Sequence, residues 1–411
     1  MKSKPKHLKI AWFVGRLGGR GVTVVVEQAA KAVASLSDHE INIVCVHSLP
    51  EDYPEIPSVR IHNLRLPWED KEASCRGAYQ WITTNSPDVV LFNDTPPIEP
   101  LWPYLPSEVK TIGVLHDIAW GWRKPFVDYR HSLNGIAAVS DFVHQSIAAQ
   151  LSDFKGIFNT IDNGTDYPAA TDRSAHNNPL RLLFFGAIDR QKGTFDLPAI
   201  VRKLSDFNFR GELLIIGGHS MKIDKKLLPF KNRIPVRWLG KLPREHCFQK
   251  IATCDILLSL GRSESFGLVT VEAMAMGCLP VGFNSGGTAS IVENNKSGLL
   301  VPLCNYDKLC KQIINLDHDR NRLATMQRKA SERARTDYSS AAMGQRYLTM
   351  IEQVIANEQS VERLDFGSFK LPPQKYRRYA TLVPLPFRKM ISELISLSPR
   401  LENLVRRYKG I

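Results

Sequence analysis

Short apolar runs alternate with helix-period segments along most of the chain. Leu8 to Val14, Ile41 to Val46, Val89 to Phe92, Thr111 to Leu115 and Ile136 to Val139 read as strands, whereas Val22 to Ala34 places its apolar residues at helical spacing. That order is βαβ logic and predicts a parallel sheet. A polar stretch from Asp166 to Pro179, rich in Pro, Asn, Ala and Asp, then interrupts as a linker. The alternation restarts with strands expected at Leu180 to Phe185, Glu212 to Ile216, Val236 to Leu239, Ile256 to Ser259, Leu279 to Gly282 and Gly298 to Val301. The pattern therefore predicts an α/β protein with two parallel-sheet domains, 1–165 and 180–335, joined by residues 166–179. A single closing helix is expected over Arg333 to Ile355, followed by a Pro-broken basic tail. Open parallel sheets gather ligands at the carboxyl ends of their strands, so the cleft shared by the two domains is the expected site.

Composition refines this picture without changing it. The 411 residues exceed what one hydrophobic core usually supports, and an apolar fraction of 43% is ordinary for a globular chain. No run of ~18 apolar residues is present, and Met1 to Val14 holds only the short apolar segment Ile10 to Val14, so a cytoplasmic protein is expected. The seven cysteines include no CxxC pair and fall mostly in apolar segments, which predicts reduced core thiols. The net charge of +13 is concentrated at the end of the chain. From Gly367 to Ile411 ten basic residues face two acids, a local charge of +8. Interleaved apolar residues, with Met390 to Leu397 able to form one amphipathic helix, leave two readings: a peripheral contact with an anionic membrane, or a tail packed across the domains with a solvated basic face. No nucleic-acid-binding motif accompanies the charge, and nucleic acid is not an expected partner.

The chemistry is concentrated between Ser259 and Pro302. Ser265, Phe266 and Gly267 lie between a strand end and a helix starting near Leu268, a geometry that turns free N–H groups and the positive helix end toward the cleft, where a diphosphate would be stabilised. Glu272 falls on the second helical turn, where a carboxylate can accept from vicinal hydroxyls such as those of a ribose, and Glu264 precedes the helix. In Phe184 to Leu197 a strand ends in Gly186 and a basic loop runs through Lys192 and Gly193 into a helix; a lysine there can neutralise charge on a departing diphosphate. Near the N-terminus Gly15, Gly18, Gly19 and Gly21 permit close approach to a ligand, but they do not spell G-x-G-x-x-G and no acid follows near Val46, which excludes a dinucleotide fingerprint. His116 sits at the carboxyl end of its strand, ahead of Asp117, Trp120 and Trp122, which could border a second substrate or simply pack. Ser140 and Asn163-Gly164 read as cap and turn. With no Asp-x-Asp at a strand end and no Cys/His cluster, neither metal nor cofactor is expected.

Taken as a block, Glu264, Phe266-Gly267, Glu272-Ala273-Met274-Ala275, Gly277, Pro280-Val281 and Gly286-Gly287 resemble the donor-binding half of the GT-B glycosyltransferases, specifically the large retaining group numbered family four. The resemblance spans roughly Lys9 to Ile355 and is densest in the second domain. It implies two Rossmann-like domains facing across a cleft, with residues 336–366 packing back toward the first. It also implies transfer of a hexose from a UDP- or GDP-linked sugar to a hydroxyl of a glycan or glycolipid, with retained configuration, in cell-surface polysaccharide or glycolipid synthesis. Glu264 would hold hydroxyls of the transferred sugar, Phe266, Gly267 and Leu268 would offer backbone amides, Glu272 would bind the ribose, Gly18 and Gly19 would border the leaving phosphate, and His116 would line the reaction centre. Family members commonly carry Arg directly after the glycine occupied here by Gly186; this chain has Ala187, and Arg190 is the expected substitute. The alternative is an inactive nucleotide-sugar-binding or scaffold protein, which Ala187 favours.

Overall fold

The structure, a computed structural model, describes residues 7–19, 21–169 and 179–371. The first domain runs β1 (Lys9–Arg16), α1 (Val22–Leu36), β2 (Glu40–Ser48), β3 (Val59–Asn63), α2 (Lys71–Asn85), β4 (Val89–Asn93), β5 (Lys110–Leu115), α3 (Trp120–Asp128), β6 (Gly135–Ala138), α4 (Asp141–Ala148) and β7 (Ile157–Thr160). The second runs β8 (Leu180–Gly186), α5 (Leu197–Asp206), β9 (Gly211–Gly217), α6 (Met221–Leu227), β10 (Val236–Gly240), α7 (Arg244–Ala252), β11 (Ile256–Ser259), α8 (Leu268–Ala275), β12 (Leu279–Phe283), α9 (Thr288–Ile291), β13 (Leu299–Val301), α10 (Tyr306–His318) and α11 (Arg320–Asp337).

Each domain is built on one parallel sheet. The first orders its strands β3-β2-β1-β4-β5-β6-β7 and the second β10-β9-β8-β11-β12-β13. In both, the order reverses beside the first strand of the domain, so the connections after β1 and β4, and after β8 and β11, diverge to opposite faces and leave a crevice between them. The central strands are apolar on both faces because helices cover both, as Ile10 to Phe13 and Val89 to Leu91, all fully buried, illustrate. The edge strands β3 and β7 escape the sequence reading for the converse reason: they are only partly buried, and polar residues such as Arg60, His62 and Asn159 interrupt their apolar positions.

The expected single closing helix is two. Its apolar period continues across Tyr338 and Ser339, but there the chain turns: the Ser339 hydroxyl accepts from the Ala342 N–H at 3.1 Å and caps a new helix, α12 (Ser340–Ala356). The turn redirects the chain onto the first domain. Tyr347 meets Trp12 edge-on at 4.7 Å, and Gly344 lies so close to α1 that a Cβ there would stand 2.7 Å from that of Ala32. The two passages between domains run side by side, with the Thr165 N–H donating to the Tyr338 carbonyl at 3.1 Å and the Ser340 N–H to the Thr165 carbonyl at 3.2 Å.

Beyond α12 the chain straps across the first domain. The Arg363 guanidinium, a half-buried group, donates to the carbonyls of Trp102, Val109 and Ser132, and Phe366 stacks on Tyr79 at 3.6 Å. Of the expected basic tail, residues 372–411 lie outside the described residues, as do 170–178 of the expected linker. No described helix is long and apolar enough to cross a membrane. All seven cysteines are free thiols; six are buried as expected, whereas Cys304 is exposed on a left-handed turn at φ +60°.

Candidate functional site

Between the domains lies a cleft of about 920 Å³, at the carboxyl ends of strands from both sheets. Of the residues singled out in the sequence, Gly18, Gly19, His116, Lys192, Glu264, Phe266, Gly267, Leu268 and Glu272 all line it. Arg190 does not: it is exposed beyond the cleft lining. Its backbone carbonyl accepts from Arg262 Nη1 at 2.8 Å, and Arg262 in turn pairs with Asp196 at 2.8 Å. That bracing holds the Arg190 backbone, and Arg190 stands outside the cleft lining in this structure.

The second-domain half of the site is set by two glycines. Gly193 has φ +78°, and a Cβ there would sit 2.4 Å from the Leu260 carbonyl oxygen, so only glycine lets the Lys192 loop press against the loop after β11. Lys192 Nζ consequently reaches Glu264 Oε1 at 2.6 Å. Gly267, at φ +114°, occupies the N-cap of α8 and contributes no side-chain cap, which leaves the first-turn N–H groups of Leu268 and Val269 available to an anion. One turn on, Glu272 pairs with Arg244 Nη2 at 3.1 Å, and the guanidinium lies 4.8 Å over the Phe248 ring. The sequence reading missed Arg244. It opens α7, far along the chain from Glu272, and its only local signal is a basic residue after Leu242-Pro243 at a strand-to-helix turn.

In the first domain His116 is buried, and its Nε2 meets Asn93 Oδ1 at 3.1 Å. Burial pushes the imidazole down to about 3, so it is neutral at physiological pH, with Nε2–H donating to Asn93 and Nδ1 left as an acceptor. Asn93, at the end of β4, is a second residue the sequence reading missed. Behind His116 a recess of about 10 Å³ is bordered by Asp94, Thr95, Glu99 and Trp102. Burial drives both carboxyls upward, Asp94 to about 7 with Asp117 adding repulsion, and Glu99 to about 8 with Asp94 adding to it. Ser140 caps α4, as expected, and in addition its hydroxyl donates across the cleft to the Ser265 carbonyl. Among the described residues no group of three or more His, Cys, Asp or Glu side chains converges as a metal-ligand set.

Two Rossmann-like domains facing across a cleft define the GT-B fold. Solved structures agree: the chain superimposes on sucrose-phosphate synthase from Thermosynechococcus elongatus with a TM-score of 0.68 at 18% identity, covering 84% of this chain and 99% of that one. It superimposes on Anabaena HepE in complex with UDP-glucose at 0.65 and 18%, covering 84% and 100%. At these identities the likeness speaks for the fold. Within it, residues 169–336 match the family model described as glycosyl transferases group 1. Curated relatives include N-acetyl-alpha-D-glucosaminyl L-malate synthase of Bacillus anthracis, 28% identical over 30% of this chain and 32% of the relative. Another is D-inositol 3-phosphate glycosyltransferase of Jonesia denitrificans, 32% identical over 29% and 31%. The chain thus spans about a third of the length of these relatives.

Proposed function

We propose that the protein is a retaining glycosyltransferase that moves a hexose from a UDP- or GDP-linked sugar to a hydroxyl of a glycan or glycolipid. The observation that carries this reading is the convergence of Lys192, Glu264 and the uncapped start of α8 opposite His116 in one cleft. The diphosphate sits on the N–H groups of Leu268 and Val269, with Lys192 neutralising the charge that grows on it as the glycosidic bond breaks. Lys192 is held in place beforehand by Glu264, whose carboxylate then shares its oxygens between the lysine and hydroxyls of the transferred sugar. Glu272 takes the ribose hydroxyls, steadied by Arg244. His116, neutral and oriented by Asn93, presents an acceptor nitrogen to a sugar hydroxyl instead of a second positive charge. Departure and attack occur on one face of the sugar: the leaving phosphate oxygen takes the proton of the incoming hydroxyl, the new C–O bond forms as the old one breaks, and no protein nucleophile is used.

A structural neighbour supports the donor class, since Anabaena HepE forms a complex with UDP-glucose. Work at a cytoplasmic membrane face, in polysaccharide or glycolipid synthesis, is supported by the local charge of +8 from Gly367 to Ile411. A second reading, a nucleotide-sugar-binding protein without turnover, is favoured by Ala187 and by Arg190 lying outside the cleft lining, which leave the place after Gly186 without the arginine the family resemblance implies. Incubation with a panel of UDP- and GDP-sugars separates the two. Acceptor-dependent release of nucleotide supports transfer, and binding without turnover refutes it.

A further inference from the structure

The donor as placed above occupies the second-domain wall and the Gly18-Gly19 turn, leaving the other half of the crevice, where the first sheet reverses between β1 and β4, for the second substrate. Three features converge there on Gly15, at the end of β1. A Cβ at Gly15 would stand 3.3 Å from the Asp94 carbonyl oxygen, 3.5 Å from Trp68 Cζ3 and 3.9 Å from His47 Cδ2.

Trp68 is 47% exposed, and it is the large exposed apolar side chain that the first domain carries at the carboxyl end of its strands; Leu36 lies at the far end of α1. Such exposure of an indole costs free energy unless something covers it. The ring is nonetheless held in place. His47 meets it edge-on at 4.5 Å, the His47 Nδ1 bonds the Leu66 carbonyl at 2.8 Å, the Leu66 N–H donates to the Val46 carbonyl at 2.8 Å, and the Ser74 hydroxyl donates to the Pro67 carbonyl at 2.7 Å. A rigid, exposed aromatic face is preorganised for a ligand.

Asp94, whose carbonyl flanks the same Gly15 position as Trp68, has a left-handed backbone at φ +46° and borders the recess behind His116. That recess has room for one water-sized group. Two further polar atoms lining it, Thr95 Oγ1 and Trp102 Nε1, belong to side chains only 1% exposed and have no protein partner. Buried donors of this kind are ordinarily satisfied, so the recess is built for a hydroxyl-sized polar group. With its affinity for a proton raised to about 7, the Asp94 carboxyl both donates and accepts near neutral pH.

We propose that Trp68 and Asp94 form the acceptor subsite, and that the acceptor presents a pyranose ring, its C–H face on the Trp68 indole and one hydroxyl on the Asp94 carboxyl at the His116 recess. A pyranose matches this pairing because it has an apolar face of ring C–H bonds and a rim of hydroxyls. The inference rests on the glycosyltransferase reading and names its second substrate class.

The test uses the full chain and Trp68→Ala, Trp68→Phe and Asp94→Asn, probed by saturation-transfer NMR with a fixed set of methyl pyranosides and maltotriose, and by calorimetry with UDP-glucose and GDP-mannose. Ring C–H signals of at least one sugar should be saturated by the wild-type protein, lost with Trp68→Ala and retained with Trp68→Phe, while nucleotide-sugar affinity stays unchanged for every Trp68 variant. Where turnover is present, Trp68→Ala should raise the acceptor KM about tenfold, the loss of one well-placed aromatic contact, and leave the donor KM unmoved. Failure of every sugar to bind the wild type, or equal binding by Trp68→Ala, overturns the subsite. Trp68-dependent sugar binding without release of nucleotide from any donor would overturn the transferase reading and keep the subsite.

Discussion

Glu99 offers a prediction whose size follows from its surroundings. It opens the short turn Glu99–Tyr104, is 6% exposed and borders the recess behind His116. Burial, then the neighbouring Asp94 charge, push its carboxyl up to about 8, against a smaller opposing pull from Lys71. The other groups facing the recess are Asp94, raised to about 7, and His116, which stays neutral across the range. Below pH ~4 both folded and unfolded chains hold the Glu99 proton and the group contributes nothing to pH dependence. As pH rises from ~4 toward about 8, the unfolded chain releases the proton while the folded chain keeps it, so stability falls through that window and levels off above it. At ~1.4 kcal/mol per tenfold difference in proton affinity the loss over the whole window is on the order of 5 kcal/mol. Glu99→Gln keeps the shape and removes the titration. Urea denaturation at pH 5 and pH 8.5, followed by tryptophan fluorescence, reads it well because six of the seven tryptophans precede the linker. Wild type should lose several kcal/mol between the two pH values and the variant clearly less, with the residue of the effect coming from Asp94. Equal losses in the two proteins would refute the assignment of Glu99 as a buried, protonated acid.

Other expectations follow from single contacts. Lys192→Ala and Glu272→Ala should each abolish turnover with unfolding midpoints within about 0.5–1 kcal/mol of wild type, since one removes a half-exposed ion pair and the other a partly buried one; undiminished activity would remove that residue from the mechanism. Gly193→Ala forces a Cβ onto the Leu260 carbonyl at positive φ and should cost roughly 1–3 kcal/mol, measured by denaturant unfolding, and weaken nucleotide-sugar binding with it. Removal of residues 372–411 should reduce cosedimentation with anionic vesicles while leaving binding to neutral vesicles unchanged; equal cosedimentation would reject the membrane role of the tail.

The parts of the fold that were legible in the sequence are those where burial leaves no choice. Strands covered on both faces, such as β1 and β4, are continuous apolar runs, and the glycines of the loops after β1, β8 and β11 announce close approach. The two closing helices read as one in the sequence because apolar spacing carries on across a break that one serine hydroxyl at Ser339 decides. Arg190 lies outside the cleft lining for a related reason. Its charge and spacing suit a phosphate, but its backbone is held by Arg262, itself paired with Asp196, and both of these come from other segments of the chain. Arg244 and Asn93 could be recognised only once folding had brought them to Glu272 and His116. Local pattern thus marks where a site lies, and long-range pairs decide which side chains enter it.

Transfer with retention is the central claim, and a time-resolved proton NMR spectrum of the full-length protein with an α-linked UDP- or GDP-hexose and a pyranose acceptor tests it most directly. The account predicts acceptor-dependent loss of the donor anomeric signal and growth of a new α-anomeric signal, both absent with Lys192→Ala. A β-linked product, or a donor that binds and is never consumed with any acceptor, would contradict it.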